Sequence, residues 1–171
     1  MNNTSFPKSA DILASAHRTF DIETAALQAL DARLDESFSQ VVAMVLACQG
    51  RVVVTGIGKS GHVAKKIAAT LASTGTPSFF MHAAEAIHGD LGMLTQQDIV
   101  LAISYSGAAQ ELLTVLSVVK RMGAQLISIT GHPQSELAIN ADLHLDASVE
   151  QEACPLNLAP TASTTAALVL G

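Results

Sequence analysis

The 171-residue sequence contains little charge, few cysteines and no long apolar run, and each shortage excludes a class of protein. Charged residues make up 14% of the chain and the formal net charge is −6, so the basic surface that nucleic-acid binding requires is missing. No run of about 18 apolar residues occurs, which argues against a membrane-spanning helix. The opening segment MNNTSFPKSADILAS lacks the features of a signal peptide. We therefore predict neither a nucleic-acid partner nor a membrane partner.

The two cysteines, Cys48 and Cys154, lack metal-site spacing and are too few for a disulfide framework. We expect both to be reduced, as is usual in the cytoplasm. Hydrophobic residues reach 49% of the chain, which favours an oligomer that buries additional surface. A monomer with a weakly charged surface is the alternative.

Residues 8–49 carry apolar side chains at helical intervals, over a length too great for one uncapped globular helix. We predict two helices with a bend near residues 30–35, and we expect Gly50 to end the second one. This gives an N-terminal helical arm over residues 1–49 and a second domain over residues 50–171. An arm outside a sheet typically packs on a neighbouring subunit.

From residue 51 onward, apolar segments of strand length alternate with helical segments. The pattern predicts strands over 51–57, 78–81, 98–104, 125–130 and 143–146, and helices over 60–74, 83–87, 109–122, 135–140 and from about Pro160. Such alternation gives right-handed crossovers and a parallel sheet covered on both faces. We predict an α/β fold with a doubly wound, flavodoxin-like sheet of five strands in the order 2-1-3-4-5.

Two Gly/Ser turns follow the first and third predicted strands: TGIGKSG over 55–61 and SYSG over 104–107. Each precedes a helix, where free backbone N–H groups and the helix dipole favour an anion. The predicted order makes these strands neighbours, and ligands bind in the crevice outside their carboxyl ends. The first turn alone is weak evidence, because a tight turn also needs glycine. Together the turns predict phosphate binding by Gly58, Ser60, Ser104, Ser106 and Gly107.

Four segments resemble the sugar isomerase (SIS) domain, and within that group the D-arabinose 5-phosphate isomerases. They are TGIGKSGHVAKKIAATLASTGTPSFF, HAAEAIHGDLGM, SYSGAAQE and VEQEACPLNLAPTAST, of which the last is the most specific. The resemblance implies an aldose–ketose isomerase that interconverts D-ribulose 5-phosphate and D-arabinose 5-phosphate through an enediol. That reaction is the first step towards Kdo, an acidic sugar of lipopolysaccharide. The resemblance also implies a cytoplasmic homotetramer that needs no metal or other cofactor.

The sequence departs from this family in two places. Ala109 stands where many SIS domains have a third hydroxyl residue. The relatives also continue with the rest of the last helix, a catalytic His-Pro-Gly segment and usually a pair of CBS modules, whereas this sequence ends at Gly171. We therefore expect a chain truncated at its C-terminus, and weak or absent activity in this form.

Such an isomerase moves a proton between C1 and C2, which needs a base of adjusted pKa and a group that polarises the carbonyl oxygen. Glu152 is our candidate for the proton shuttle, with Glu111 and Lys59 as further catalytic candidates; the resemblance selects the same three. Glu150 would share a face with Glu152 in an extended loop, and we expect the pair and partial burial to raise one pKa towards neutrality. A solvated acidic loop is the alternative.

The remaining candidates depend more on the resemblance. His88 is a candidate for ring opening or hydroxyl binding in a neighbouring subunit's site. His82, Glu85 and His88 are weak evidence for zinc, because no fourth ligand accompanies them. Thr161, Ser163 and Thr164 begin the last predicted helix, where they bind sugar hydroxyls or cap the helix.

Two rival functions stay open. SIS domains also serve as sugar-phosphate sensors without catalysis, although the arm here is acidic and apolar rather than a basic helix-turn-helix. The other rival is an isomerase of another phosphosugar, because phosphate contacts do not distinguish sugars that differ in stereochemistry.

Overall fold

Five parallel strands form the centre of the structure, a computed structural model that describes residues 8–171. Their spatial order is β2-β1-β3-β4-β5, which confirms the predicted doubly wound α/β fold. The strands are β1 (Val52–Gly56), β2 (Ser78–His82), β3 (Ile99–Ile103), β4 (Gln125–Thr130) and β5 (Leu143–Asp146). The helices are α1 (Ser9–Asp31), α2 (Glu36–Ala47), α3 (Gly58–Ser73), α4 (Ala83–Ala86), α5 (Gln110–Met122), α6 (Glu136–Asn140) and α7 (Ala162–Leu170). None of these helices is long and apolar enough to cross a bilayer.

The strands β1 and β3 are buried along their whole length because helices cover both faces of the sheet. Val52 and Val54 pack with α2, α3 and α7 on one face, whereas Val53 packs with α4 and α5 on the other. Gly56 at the end of β1 lies beside Ile103 at the end of β3. The turns that follow these two strands therefore start side by side.

The N-terminal arm consists of two helices, and the bend lies where the sequence predicts it. The helix α1 ends at Asp31, and α2 starts after Asp35, whose carboxylate accepts a hydrogen bond from Ser37 N at 2.8 Å. Residues 8–21 are exposed, and packing begins at Ile22, which is 8% exposed. The predicted arm also includes residues 1–7, which lie outside the described residues.

Two local predictions need correction, and one element was missed. Gly50 does not end the arm, because α2 stops at Ala47; its small size instead lets the backbone approach Asp98, whose carboxylate a Cβ would meet. The last helix starts at Ala162 rather than near Pro160, because Thr161 has non-helical dihedral angles. A short 3₁₀ helix over Asp90–Met93 was not predicted.

Candidate active site

A cavity of about 390 Å³ lies outside the carboxyl ends of β1 and β3. Both predicted turns reach it, one through Lys59 and Ser60 and the other through Ser104 and Ser106. The helix α7 adds Ser163 and Thr164 to the wall. The structure thus brings polar groups from three separate parts of the chain to one cavity.

The turn after β3 is fixed by its own hydrogen bonds. Ser104 Oγ accepts a hydrogen bond from Gly107 N at 3.1 Å, and Ser106 Oγ accepts one from Ala108 N at 3.4 Å. Gly107 has a φ of 62°, and a Cβ there would collide with the side chain of Ser135. Gly107 therefore shapes the turn without lining the cavity, and the two serine hydroxyls keep their protons free to donate.

The turn after β1 presents Lys59 and Ser60 at the start of α3. Gly58 has a φ of 57°, which favours glycine, but it does not line the cavity. Gly61 brings α3 close to β1, because a Cβ on it would lie 3.1 Å from Gly56 O. Within residues 8–171, the Lys59 ammonium is the only cation that lines this cavity.

Glu152 is held by hydrogen bonds at the start of α7. Its Oε2 accepts from Thr161 N at 2.8 Å, from Thr161 Oγ1 at 2.9 Å and from Ser163 N at 3.2 Å. Thr161 Oγ1 in turn accepts a hydrogen bond from Ala153 N at 2.7 Å. The carboxylate therefore caps α7 and lies in a fixed position.

The expected rise in the pKa of Glu152 is wrong. Burial by itself raises the pKa of Glu152, but the hydrogen bonds from Ser163 and Thr161 outweigh burial and leave this pKa below its ordinary value of 4.5. Glu150 is exposed and does not raise the pKa of Glu152. Glu152 is consequently ionised at neutral pH and is able to accept a proton.

Glu152 lines a second cavity, of about 290 Å³, rather than the first. Tyr105 and Pro160 line both cavities, so the two adjoin. Ser163 lines the first cavity and is 3% exposed; its Oγ makes no well-aligned hydrogen bond among the residues that the structure describes, although its hydroxyl helps to lower the pKa of the nearby Glu152 carboxylate. Ser163 therefore lies between the first cavity and the Glu152 carboxylate, which accepts a hydrogen bond from its backbone N–H.

Two predicted catalytic residues lie outside both cavities. Glu111 is half-buried in the first turn of α5, between Ala109 and Leu112, which line the first cavity. His88 is exposed after α4, and a single chain does not bring it to the other candidates. His82 caps α4 by accepting a hydrogen bond from Ala84 N, and residues 8–171 contain no group of three metal-ligating side chains.

Tyr105 was not singled out from the sequence. It is the one tyrosine of the chain, and its ring packs edge-on against His132. Its hydroxyl lies 3.5 Å from Val149 O and 3.4 Å from Val149 N. Tyr105 therefore links the turn after β3 to the loop that carries Glu152. The one signal in the sequence was its place between two candidate serines.

The chain is similar to known proteins over most of its length. A family model described as SIS domain matches residues 45–171. Arabinose 5-phosphate isomerase KdsD of Pseudomonas aeruginosa PAO1 is 60% identical over 161 residues, which are 94% of this chain and 49% of that protein. The protein of the same name from Escherichia coli K12 is 48% identical over 171 residues, which are 100% of this chain and 52% of that protein. The chain thus spans about half the length of the curated relatives it matches.

Among solved structures, an Escherichia coli CFT073 protein in complex with arabinose 5-phosphate has a TM-score of 0.91 and 43% sequence identity. The match covers 95% of this chain and 87% of that chain.

Proposed function

The chain belongs to the SIS domain family, and from that premise we propose that it interconverts D-ribulose 5-phosphate and D-arabinose 5-phosphate. One observation carries the proposal: a hydroxyl-lined cavity at two strand ends adjoins a second cavity that contains an ionised, hydrogen-bonded glutamate. The relatives named arabinose 5-phosphate isomerase support the choice of substrate.

In this proposal the phosphate lies in the first cavity. Hydroxyl groups of Ser60, Ser104 and Ser106 donate hydrogen bonds to the phosphate oxygens. Gly58 and Gly107 adopt the positive φ angles that the two turns require. Ser163 supplies a further hydroxyl, because it lines the same cavity from the start of α7. Thr161 was also a candidate for substrate binding, but its hydroxyl already donates to Glu152, so we assign it to holding that carboxylate.

The sugar then extends past Tyr105 and Pro160 towards Glu152 in the second cavity. The Glu152 carboxylate removes a proton from C1 of the ketose, which leaves an enediol. The Glu152 carboxyl group exchanges this proton with solvent and then protonates C2 to form the aldose. Lys59 stabilises the negative charge that develops on the carbonyl oxygen. Glu111, in the first turn of α5 beside the first cavity, is proposed as a second acid–base group for the proton that moves between the two oxygens. His88, which is exposed and lines neither cavity, is proposed to act in the site of a neighbouring subunit.

The wider setting belongs to the same proposal. The protein acts in the cytoplasm on the first step towards Kdo, and residues 1–49 and 50–171 form its arm and its sugar-phosphate domain. It assembles as a homotetramer through apolar side chains on the arm, where Leu13 and Phe20 are 57% and 72% exposed.

The test follows the transferred proton. The protein, at the full length that its gene encodes, is mixed with D-ribulose 5-phosphate in D₂O and observed by NMR. We expect D-arabinose 5-phosphate to form with deuterium at C2. Saturable binding without exchange or product would overturn the proposal in favour of a sensor. Faster turnover of another phosphosugar would overturn the choice of substrate.

A further inference from the structure

The loop 147–161, which carries Glu152, has little backbone hydrogen bonding of its own. Ala147 N donates to Thr130 O at 2.8 Å and Asn157 N to Cys154 O at 2.9 Å. Between them, residues 148–153 make no backbone-to-backbone hydrogen bond in the described part of the chain. Side-chain groups therefore hold this backbone, and two of them are nearby in the sequence: Asp146 Oδ1 accepts from Ser148 N at 2.8 Å, and Thr161 Oγ1 accepts from Ala153 N at 2.7 Å.

Two arginines, one within α1 and one just after it, bind the backbone on either side of Glu152. Arg33 Nη2 donates to Ser148 O at 2.7 Å, and Arg18 Nη2 donates to Ala153 O at 3.1 Å. Hydrogen bonds from a charged donor are stronger and shorter than neutral ones. Arg33 Nε also lies 3.6 Å from Asp146 Oδ2 at the end of β5, but this ion pair is partly exposed and contributes little by itself.

An apolar contact lies between the two arginines along α1. Ile22 packs against Ala153 and Ala162, with Ala26 and Val149 beside them. At about 100° per residue, Arg18, Ile22 and Ala26 fall within a stripe of about 80° on the helix, and Arg33 follows at its C-terminal end. A single face of α1 therefore contacts both the loop and the start of α7.

We propose that Arg18 and Arg33 are positioning residues, which hold the loop so that the Glu152 carboxylate stays at the reacting carbons. Neither arginine lines the cavity assigned to the phosphate. Their effect therefore acts on the chemical step through Glu152 and not on phosphate binding. This inference rests on the proposed isomerase function.

The kinetic test replaces each arginine by methionine, which keeps an apolar stem and removes the donors. A misplaced catalytic group costs up to about a hundredfold in rate, and we expect Arg18→Met and Arg33→Met each to lower kcat about tenfold while KM changes less than about twofold. Arg121→Met, at the exposed end of α5, is the matched control with unchanged kinetics. Arg18→Lys, which keeps a charged donor, should recover part of the lost kcat. An unchanged kcat, or a rise in KM alone, would overturn the inference.

Hydrogen exchange provides a readout that does not depend on catalysis. In both methionine variants we expect faster amide exchange over residues 148–160 and unchanged exchange over α5. Unchanged exchange in the loop would show that the arginines do not hold it and would also overturn the inference. If the unmodified protein shows no isomerase activity, the proposed function fails, and the exchange data still decide whether α1 holds the loop.

Discussion

The turn 104–107 and the loop 147–161 line two adjoining cavities, but different contacts hold them. The turn is braced by its own serines, by a left-handed glycine and by the strand that it follows. The loop is braced by Arg18 and Arg33, by Tyr105 and by Thr161. The turn, to which we assign phosphate binding, is therefore held by contacts close in the sequence. The loop, to which we assign the proton transfer, also depends on contacts from residues far away in the sequence.

The largest expected effect comes from replacing Glu152 in the loop 147–161. Glu152→Gln removes the proton acceptor, and we expect kcat to fall by about 10² to 10⁴ with little change in KM, because the phosphate contacts remain. Glu150→Gln is the matched control, since Glu150 is exposed and makes no contribution to the pKa of Glu152. Steady-state kinetics and deuterium incorporation measure both variants. Near-normal turnover by Glu152→Gln would remove Glu152 from the mechanism.

A substitution of Gly107 tests the geometry of the turn 104–107. Gly107→Ala forces a left-handed dihedral angle on alanine and pushes its Cβ into Ser135. We expect a loss of about 2 kcal/mol in the free energy of unfolding, together with a raised KM. Gly92→Ala is the control, because a Cβ there meets no neighbour in the described part of the chain. Urea denaturation compares the two, and equal stabilities would show that the turn tolerates another conformation.

A third change weakens the bracing of the loop without touching the carboxylate. Thr161→Val removes the hydroxyl that donates to Glu152 and accepts from Ala153 N. The pKa of Glu152 in the wild type lies below 4.5, so the acidic limb of its kcat/KM profile should also lie below that pH. We expect this limb to move to higher pH in the variant. A pH profile identical to that of the wild type would contradict the assigned network.

The same lowered pKa predicts how stability depends on pH. A carboxyl group whose pKa is depressed by folding stabilises the folded state above its unfolded pKa, and this stabilisation is lost as the pH falls through the folded pKa. The stability difference between the wild type and Glu152→Gln should therefore stay constant above about pH 5.5 and shrink below about pH 4.5. Thermal denaturation across this range measures the stability difference between the two proteins. A difference that increases in acid would show that folding raises the pKa of Glu152 instead of lowering it.

The smallest expected effect concerns the link between the two regions. The Tyr105 hydroxyl lies at 3.4 and 3.5 Å from Val149, distances typical of weak hydrogen bonds. Tyr105→Phe keeps the ring against His132 and should lower kcat no more than about threefold. Tyr105→Ala removes the ring as well, and a much larger loss there would show that packing provides the link.

Much of the fold and of the turn 104–107 could be predicted because the signals are local. Apolar runs at 52–54 and 99–103 give buried parallel strands, and the Gly/Ser turns follow them directly in the sequence. The sign of the pKa shift at Glu152 could not be predicted, because it depends on where Thr161 and Ser163 come to lie. Arg18 and Arg33 act across 135 and 115 residues, a distance that no sequence pattern covers.

Two opposite faces of the helix α1 have different surroundings. The stripe that begins at Arg18 points to the Glu152 loop, and Leu13 and Phe20 lie on the opposite side of the helix, exposed to solvent. A neighbouring subunit that covers the outer face would stiffen the whole helix and, through it, the loop. Specific activity would then rise with protein concentration. Dilution below the concentration at which the subunits dissociate would lower the turnover of each subunit before the subunits unfold.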